Sequence, residues 1–424
     1  MEYKAYYVEE SDGVFSSSIQ NLEIPEPKDG ELLVSVSYSS LNYKDALCAK
    51  GVKGVAASYP FVPGIDAVGM VAKSNSDAFN EGDKVICSGY KLGMSVNGGF
   101  GSLICVPAEW VVHLPSAMSD LEAMSYGVAG LTSAACVKAI LDKGVIDTLP
   151  IAVSGATGGV GSVAVGILSK IGFSVTAITG KSSEEGFLKK IGCDQFINRD
   201  DFLEGGVRPL DKTAFGGGVD AVGGEILAKI LSQTAQKGSI ACCGNVAGAS
   251  FQSSVFPFIL RVISLIGIDS AESSIELKKY LWEKLADEWK LDLSEQTKVI
   301  ELAELDLLYI ISDSANYNPD YKVNSVLDQL PKPNAKVKRG RKIYLTLNAS
   351  DYEMIEIPKI KGTTVRYARN TIESLGFVFG EIEYVDDIAR DEVISISHDD
   401  NELNAGDYLK RTSVIDFKLG NGKQ

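Results

Sequence analysis

The chain has 424 residues, 45% of them hydrophobic, and a formal net charge of -15 at pH 7. This size predicts two or three globular domains, and the acidic balance argues against a nucleic-acid partner, because phosphate binding requires a basic surface. Seven cysteines and only two histidines, His113 and His398, indicate a reducing compartment and no metal site. No apolar run reaches about 18 residues, so we expect a soluble, cytoplasmic protein with no membrane partner.

The N-terminal part is rich in short strands and turns. Alternating apolar residues at Lys4–Val8 and Glu31–Tyr38, with a proline-rich break between them, predict antiparallel strands. The polar cluster Ser39–Asp45 follows, and Asn42 is positioned to cap a helix there; capping and solvation alone would also explain these polar residues. From about residue 123 helices and strands alternate, which indicates a domain boundary.

The stretch Ile151–Gly161 predicts a phosphate-binding turn. An apolar run breaks into glycines and resumes with helical spacing, which is typical of a strand, a tight turn and a helix N-terminus. Glycines allow backbone N–H groups to approach a phosphate, and the helix dipole favours an anion there. Ala156 replaces the first glycine of the usual G-x-G-x-x-G pattern. The residues expected to hold the pyrophosphate are Ala156, Thr157, Gly158, Gly159, Val160 and Gly161.

The end of the next strand favours NADPH over NADH. An NAD-binding unit usually has Asp or Glu there, on the ribose hydroxyls, whereas this chain reads Thr179-Gly180-Lys181-Ser182. Arg199 follows the third strand and could add a second cation for a 2′-phosphate. Either cation alone would more often be a solvated surface residue. Together they predict NADPH, held at this end by Thr179, Lys181, Ser182 and Arg199.

Six motifs occur in order within roughly residues 1 to 304: Ser40–Asp45, Pro63–Asp66, Gly82–Val85, Asn97–Gly99, Ser154–Gly161 and Pro257–Arg261. Together they resemble the medium-chain dehydrogenase/reductases, and within them the zinc-free branch of quinone oxidoreductases and acrylyl-CoA reductases. The resemblance implies an α/β protein with a GroES-like β-rich catalytic domain over 1–122, which includes a short return at about 269–306. It also implies a doubly wound Rossmann NADPH-binding domain over 123–268, with the active site between the two domains.

Departures from the zinc alcohol dehydrogenases indicate chemistry without a metal. Where those enzymes have a Cys-His ligand pair this chain has Asn42-Tyr43, and Gly64-Ile65-Asp66 replaces their Gly-His-Glu. We therefore expect hydride transfer to an already activated double bond, in an enoyl thioester or a quinone. Candidates for positioning the substrate carbonyl are Asn42, Tyr43 and Asp45, and either Tyr43 or a water could protonate the product.

The resemblance also implies contacts at the nicotinamide end and between subunits. Thr132 and the pair Gly244-Asn245 are expected to face the nicotinamide ring. The apolar stretch Val255–Asp269 lies at a dimer interface near the cleft in related enzymes, which implies a homodimer through the Rossmann domain and a substrate or cofactor contact for Arg261. A buried strand with a snorkelling arginine is the alternative.

After Ala303 the reductase pattern ends and the chain repeats itself. Motifs at Tyr317–Asp320 and Ser325–Leu327 recur at Tyr384–Asp387 and Glu392–Ile394, and each copy ends in an alternating strand. The second copy opens with a proline-led strand and a Thr-capped helix ending at Gly376. It resembles a PASTA repeat, a small helix-on-sheet module. We expect a partial PASTA-like repeat over 307–350 and a complete one over 351–424.

This junction leaves both patterns incomplete. The reductase lacks its last helix and closing strand, and the first repeat lacks its opening half, so each would have an uncovered edge or face. A fusion, a chimaera or a sequencing artefact would explain this. Two hypotheses follow: an active NADPH-dependent reductase, or a catalytically impaired fusion that acts as a scaffold or binds cell-wall fragments through its PASTA-like tail.

Overall fold

The computed structural model describes residues 1–11, 14–51, 55–302, 309–313, 326–330, 343–347, 354–399, 401–410 and 413–423. The chain divides into two compact units, Met1–Asp306 and Leu307–Gln424. The first unit combines a β-rich part with an α/β part, and the second contains small sheets and, in its described residues, one helix.

The β-rich part consists of a hairpin and a five-stranded antiparallel sheet. Its elements are β1 (Glu2–Ser11), β2 (Val14–Glu23), β3 (Glu31–Tyr38), α1 (Tyr43–Ala49), β4 (Asp66–Ser74), β5 (Lys84–Ser88), β6 (Leu103–Pro107) and β7 (Val111–His113). Strands β1 and β2 form the hairpin, and the sheet order is β6-β3-β4-β5-β7. Leu32, Val34, Val71 and Ile104 are buried in one core because alternate residues of each strand face inward. The strand predicted at Glu31–Tyr38 is confirmed.

The α/β part is a six-stranded parallel sheet with helices on both faces. Its elements are α2 (Asp120–Lys143), β8 (Ile151–Ser154), α3 (Gly159–Lys170), β9 (Val175–Thr179), α4 (Glu185–Lys190), β10 (Gln195–Asn198), α5 (Arg199–Leu203), β11 (Gly217–Asp220), α6 (Gly224–Gln233), β12 (Ser239–Cys242), α7 (Phe256–Arg261), β13 (Ser264–Gly267) and α8 (Ile275–Ala286). The strand order is β10-β9-β8-β11-β12-β13. From β8 the chain adds strands first towards one edge of the sheet and then, from β11, towards the other edge. Open α/β sheets bind ligands at such a switch point, beyond the carboxyl ends of the strands. The doubly wound fold is therefore as predicted.

Helix α2 lies in the core of this unit. Its length and composition would allow it to cross a membrane, yet 67% of its most apolar window is buried inside the fold, as in core helices of soluble proteins. The helix is broken at Gly127, whose φ of 53° and ψ of -157° are not helical.

The structure corrects the sequence prediction for Val255–Asp269. The stretch forms the short helix α7 and the strand β13, so the predicted continuous buried strand is wrong; proline in the first turn favours a helix start. Arg261 ends α7, and its Nη1 donates to Ser232 O at 2.8 Å and to Thr234 O at 3.0 Å. Its Nη2 donates to Asp211 O. The guanidinium thus caps the end of α6, and the contact predicted for Arg261 with substrate or cofactor stays a prediction.

The described part of the second unit contains several small sheets and one helix. Its elements are β14 (Tyr309–Asp313), β15 (Val326–Leu330), β16 (Ile343–Leu347), β17 (Met354–Glu356), α9 (Val365–Ser374), β18 (Val378–Arg390), β19 (Val393–His398), β20 (Asn401–Leu403), β21 (Tyr408–Lys410) and β22 (Val414–Gly420). Helix α9 has Thr364 as its cap and buries Ala368 and Ile372 against Phe417, so the predicted Thr-capped helix is confirmed.

Strand pairing in this unit shows the internal repeat at the level of the backbone. Strand β15 pairs antiparallel with β16 from Val326↔Leu347, and β19 pairs antiparallel with β22 from Val393↔Leu419. Both pairs contain a register shift directly after that first pair. In addition, β14 is parallel to β16 as β18 is parallel to β22. The motif Tyr317–Asp320 and the predicted junction near residue 305 lie outside the described residues.

A buried lysine holds α8 against the β-rich part. Lys278 Nζ donates to Ser88 O and to Ala271 O, both at 2.8 Å, and lies 3.1 Å from the centroid of the Tyr90 ring. Tyr90 in turn stacks on Trp110. Burial lowers the pKa of Lys278 to about 8. Carbonyl oxygens and a ring face therefore replace a carboxylate as its partners.

Replacing Lys278 with methionine should destabilise the first unit by about 1–3 kcal/mol, because it removes a donor from buried carbonyl groups. Urea unfolding would measure this as a lower midpoint. The matched control is Lys279→Met on the same helix, where the side chain is exposed. Equal midpoints for the two variants would contradict the role given to Lys278.

Candidate functional site

The glycine turn between β8 and α3 forms a cradle for an anion. Gly158 caps α3 without a side-chain hydrogen bond, and the first N–H groups of any α-helix lack intrahelical acceptors. A Cβ at Gly161 would lie 2.3 Å from Gly155 O and 2.7 Å from Ala156 Cα, so only glycine fits there. The predicted strand, turn and helix N-terminus are confirmed. This arrangement fits the pyrophosphate of a dinucleotide.

The residues predicted to hold a 2′-phosphate lie together at the ends of β9 and β10. Thr179 Oγ1 is 3.1 Å from Thr157 Oγ1 and accepts a hydrogen bond from Lys181 N at 3.3 Å. Ser182 Oγ accepts from the Asn198 side chain at 2.7 Å. A Cβ at Gly180 would be 3.3 Å from Arg199 Cζ, which places the guanidinium directly against this turn. The Arg199 guanidinium and three hydroxyls therefore lie at one corner of the sheet, and Lys181 is in the same turn.

Thr132, which was predicted to face the nicotinamide ring, is buried in α2. Its Oγ1 donates to Val128 O at 2.7 Å and is 2.6 Å from Ser270 Oγ, in the segment that follows β13. Gly244 follows β12, and a Cβ on it would be 1.9 Å from Ala221 O, so the turn approaches its neighbour closely. Asn245 is exposed. Thr132 is thus on α2, which precedes β8, and the pair Gly244-Asn245 follows β12, the neighbour of β11 in the sheet.

The three predicted catalytic residues differ in exposure. Asn42 is the N-cap of α1, as predicted, and its Nδ2 donates to Ser40 Oγ at 3.0 Å and to Asp66 Oδ2 at 3.3 Å. Tyr43 is 70% exposed, which leaves its ring open to a ligand. Asp45 is buried. Tyr43 is thus exposed, whereas Asn42 and Asp45 hydrogen-bond to the protein itself.

Asp45 stabilises the loop through backbone groups. Its Oδ1 accepts from Gly64 N and Ile65 N at 3.1 and 3.0 Å, and its Oδ2 accepts from Asn42 N at 2.8 Å. Burial, reinforced by the nearby Asp66 carboxylate, raises the pKa of Asp45 to about 7, although these hydrogen bonds oppose the shift. The carboxyl group therefore titrates near neutral pH.

This raised pKa predicts a pH dependence of stability. The folded state retains a proton that the unfolded chain loses near pH 4, so the contribution of Asp45 is full below about pH 4 and is lost as the pH rises towards about pH 7. The variant Asp45→Asn should lack this decline. The urea midpoint is measured for both proteins at about pH 5 and about pH 8. The decrease from the lower to the higher pH should be smaller in Asp45→Asn than in the unmodified protein. Parallel declines in both proteins would contradict the shift.

Sequence reasoning missed the role of Asp66, which it noted only as a replaced zinc-ligand motif. The carboxylate is fully buried at the start of β4; its Oδ1 accepts from Ser40 N at 2.7 Å, and its Oδ2 accepts from Ser40 Oγ. Burial raises its pKa, and hydrogen bonds from Ser40 oppose that shift. The signal in the sequence was an aspartate inside the otherwise apolar run Phe61–Val71.

Among the described residues, no group of three or more His, Cys, Asp or Glu side chains could hold a metal ion. The polar groups around Asn42 and Asp66 are hydroxyl, amide and carboxylate groups, and they are hydrogen-bonded to one another.

Comparison with known families gives two matches. Residues 28–116 match the alcohol dehydrogenase GroES-like domain, and residues 159–287 match the family described as zinc-binding dehydrogenase. The first match falls on the β-rich part and the second on the α/β part of the first unit.

Curated relatives cover the same unit. The Bacillus subtilis protein YhfP, which has a provisional quinone oxidoreductase name, is 42% identical over 267 residues, 63% of this chain and 81% of YhfP. The acrylyl-CoA reductase AcuI of Ruegeria pomeroyi is 38% identical over 288 residues, 68% of this chain and 87% of AcuI.

Solved structures agree with these relatives. Escherichia coli K-12 YhdH with bound NADPH has a TM-score of 0.68 and 37% identity, and the match covers 71% of this chain and 93% of YhdH. Bacillus subtilis YhfP with NAD bound has a TM-score of 0.67 and 38% identity, over 69% of this chain and 89% of YhfP.

Proposed function

Because this chain is an oxidoreductase that belongs to the medium-chain dehydrogenase/reductases, we propose a specific reaction for it. It transfers a hydride from NADPH to an activated carbon–carbon double bond. An enoyl thioester such as acrylyl-CoA is the favoured substrate, and a quinone is the second choice. The observation that carries the proposal is the pairing of a glycine cradle at Gly158–Gly161 with Lys181 and Arg199 at the neighbouring strand ends.

The cofactor preference follows from charge at that corner. The end of β9 presents no carboxylate that would repel a 2′-phosphate, whereas Lys181, Ser182 and Arg199 offer charge-assisted and neutral hydrogen bonds. The relatives include one structure with NADPH and one with NAD, so the family alone does not decide the choice. When bound, the cofactor supplies the hydride, and the chain binds and orients it.

On the substrate side, we assign different roles to the predicted residues. The exposed Tyr43 hydroxyl is the group that can reach a ligand and donate to a carbonyl oxygen on which negative charge develops. Asn42 and Asp45 hold the loop that presents Tyr43, because their hydrogen bonds close the loop on itself and tie it to Gly64, Ile65 and Asp66. Thr132 and Gly244-Asn245 are proposed to border the nicotinamide.

The proposal is tested by NADPH oxidation with acrylyl-CoA and, separately, with a benzoquinone. We expect saturable turnover of acrylyl-CoA with a higher kcat/KM than for the quinone. Tyr43→Phe should lower kcat by about tenfold or more if its hydroxyl assists the reaction. Turnover of neither acceptor by folded protein that binds NADPH would refute the proposed activity, and an unchanged kcat in Tyr43→Phe would refute the role of that hydroxyl.

The edge of the parallel sheet supports a homodimer through the α/β part. Strand β13 is the last strand of the sheet, and next to it Ile259, Leu260 and Val262 are 63%, 58% and 57% exposed. Apolar side chains beside an unpaired edge strand favour association with a second copy. Sedimentation analysis should give a dimer that Ile259→Asp dissociates. The control Ile388→Asp, at an equally exposed site on the second unit, should leave the dimer intact.

A second candidate is binding through the PASTA-like tail. The observation that favours it is a separate core in the second unit, with α9 packed on the sheet of β19 and β22. Saturable binding of a soluble muropeptide to the full chain, lost on deletion after Ser350, would support this role. Absence of binding would remove it and leave the reductase proposal unchanged.

A further inference from the structure

Asp66 connects the loop that carries Tyr43 with the helix that carries Thr132. In addition to its bonds with Ser40 and Asn42, its Oδ2 accepts a hydrogen bond from Val128 N at 2.9 Å. The loop belongs to the β-rich part and Val128 to α2 of the α/β part. One buried carboxylate therefore contacts both the β-rich part and the α/β part.

The contact with α2 occurs at the break in that helix. Gly127 has a φ of 53°, so Val128 begins a new helical segment, and the first N–H groups of a helical segment need acceptors from outside it. Asp66 supplies that acceptor. One turn later Thr132 donates its hydroxyl to Val128 O at 2.7 Å. The position of Thr132 thus depends on a segment that starts on Asp66.

The contact between the break in α2 and the Ser39–Asp45 loop leaves no room for a side chain at Gly127. A Cβ at Gly127 would lie 2.2 Å from Ser40 Oγ and 2.9 Å from Asp66 Oδ2. The helix break and the catalytic loop are therefore in direct contact through a glycine, and the carboxylate lies between them. Among the described residues, its two oxygens accept hydrogen bonds from Ser39, Ser40, Asn42 and Val128, and the Ser39 hydroxyl also donates to Asp66 O at 2.7 Å.

From these contacts we infer that Asp66 is a positioning residue, which couples the substrate-side loop to the nicotinamide-side helix so that both hold one geometry. The inference rests on the proposed reductase function. It adds a residue that touches neither substrate nor cofactor, and whose loss should slow hydride transfer more than it weakens binding. A displacement of reacting groups by a fraction of an ångström to one ångström is enough to cost about tenfold to a hundredfold in rate.

The test is Asp66→Asn in the full chain. An amide offers one oxygen and one NH₂ where donors converge, so at least one side of the junction must separate. We expect kcat to fall about tenfold or more while the Kd for NADPH changes by less than about twofold. The deuterium isotope effect with NADPH deuterated at the transferable position should increase. Amide hydrogen exchange should rise in the peptide that contains Val128, and not in α3.

Lys278→Met is the matched stability control, since it perturbs a buried polar contact away from the cleft. If Asp66 were merely structural, both variants would lose stability and keep the kcat and isotope effect of the unmodified protein, and the inference would be overturned. Should Asp66→Asn fail to fold, Ser40→Ala removes one bond to the same carboxylate and should give the same changes to a smaller degree; an unchanged kcat and isotope effect would overturn the inference. Failure of the proposed function is distinguishable, because the unmodified protein would then show no turnover, whereas the exchange of Val128 would still report on Asp66.

Discussion

Replacing Gly161 with alanine should weaken NADPH binding by about a hundredfold, equivalent to about 2.7 kcal/mol. The added Cβ would lie 2.3 Å from Gly155 O, a backbone atom that cannot rotate away, so the turn would have to open and the N–H groups would leave the phosphate. Titration followed by NADPH fluorescence measures the Kd directly.

The control for this variant is Gly186→Ala in α4, where a Cβ would meet nothing within 4 Å. That substitution should leave the Kd for NADPH unchanged and slightly stabilise the helix. Circular dichroism would verify that both variants are folded. A folded Gly161→Ala protein with unchanged affinity would show that the cofactor does not use this turn.

Removing both cations at the ends of β9 and β10 should change the choice of cofactor. The double variant Lys181→Ala, Arg199→Ala should lose about tenfold to a hundredfold in affinity for NADPH and change little towards NADH, because charge-assisted hydrogen bonds are each worth about 1.5–3 kcal/mol before solvent screening reduces them. Arg199 is 51% exposed and, among the residues that the structure describes, forms an ion pair with the adjacent Asp200 at 3.2 Å, so it can reorient towards a phosphate.

The control is Lys189→Ala, which removes a surface cation that pairs with Glu185 on α4. The NADPH-to-NADH ratio of Kd values should be unchanged in this variant. An equal loss of affinity for both cofactors in the double variant would mean that Lys181 and Arg199 attract any dinucleotide through their positive charge and do not recognise the 2′-phosphate.

Much of the cofactor half could be predicted from the sequence because its determinants are local. A strand, a glycine turn and a helix follow one another between Ile151 and Lys170, and each leaves its own pattern of side chains. Thr179, Lys181 and Ser182 are neighbours in the chain. Arg199 required one further step, the knowledge that consecutive strands of a βαβ unit lie side by side.

The substrate side was less predictable because its determinants are contacts between distant segments. Asn42 was recognised as a cap, but its bond to Asp66 joins the start of α1 to the start of β4, 24 positions along the chain, and local patterns do not specify such a contact. The link from Asp66 to Val128 depends on a glycine conformation inside what the sequence presents as a continuous helix. Apolar periodicity likewise could not distinguish strand from helix at Phe256–Arg261, where proline in the first turn decided the outcome.

The tail shows the reverse case, since its repetition was visible in the sequence and reappears in the strand pairing. The equivalent bulges in the β15–β16 and β19–β22 pairs are a backbone feature that residue similarity alone does not specify. The resemblance of the modules to PASTA repeats stays a prediction.

The proposed reduction is tested most directly by following the hydride itself. The purified chain is incubated with acrylyl-CoA and NADPH deuterated at the transferable position, and the thioester product is analysed by mass spectrometry. We expect propionyl-CoA that carries one deuterium, formed at a rate that depends on Asp66. Protein that binds NADPH and yields no deuterated product would contradict the assignment of this chain as a reductase of activated double bonds.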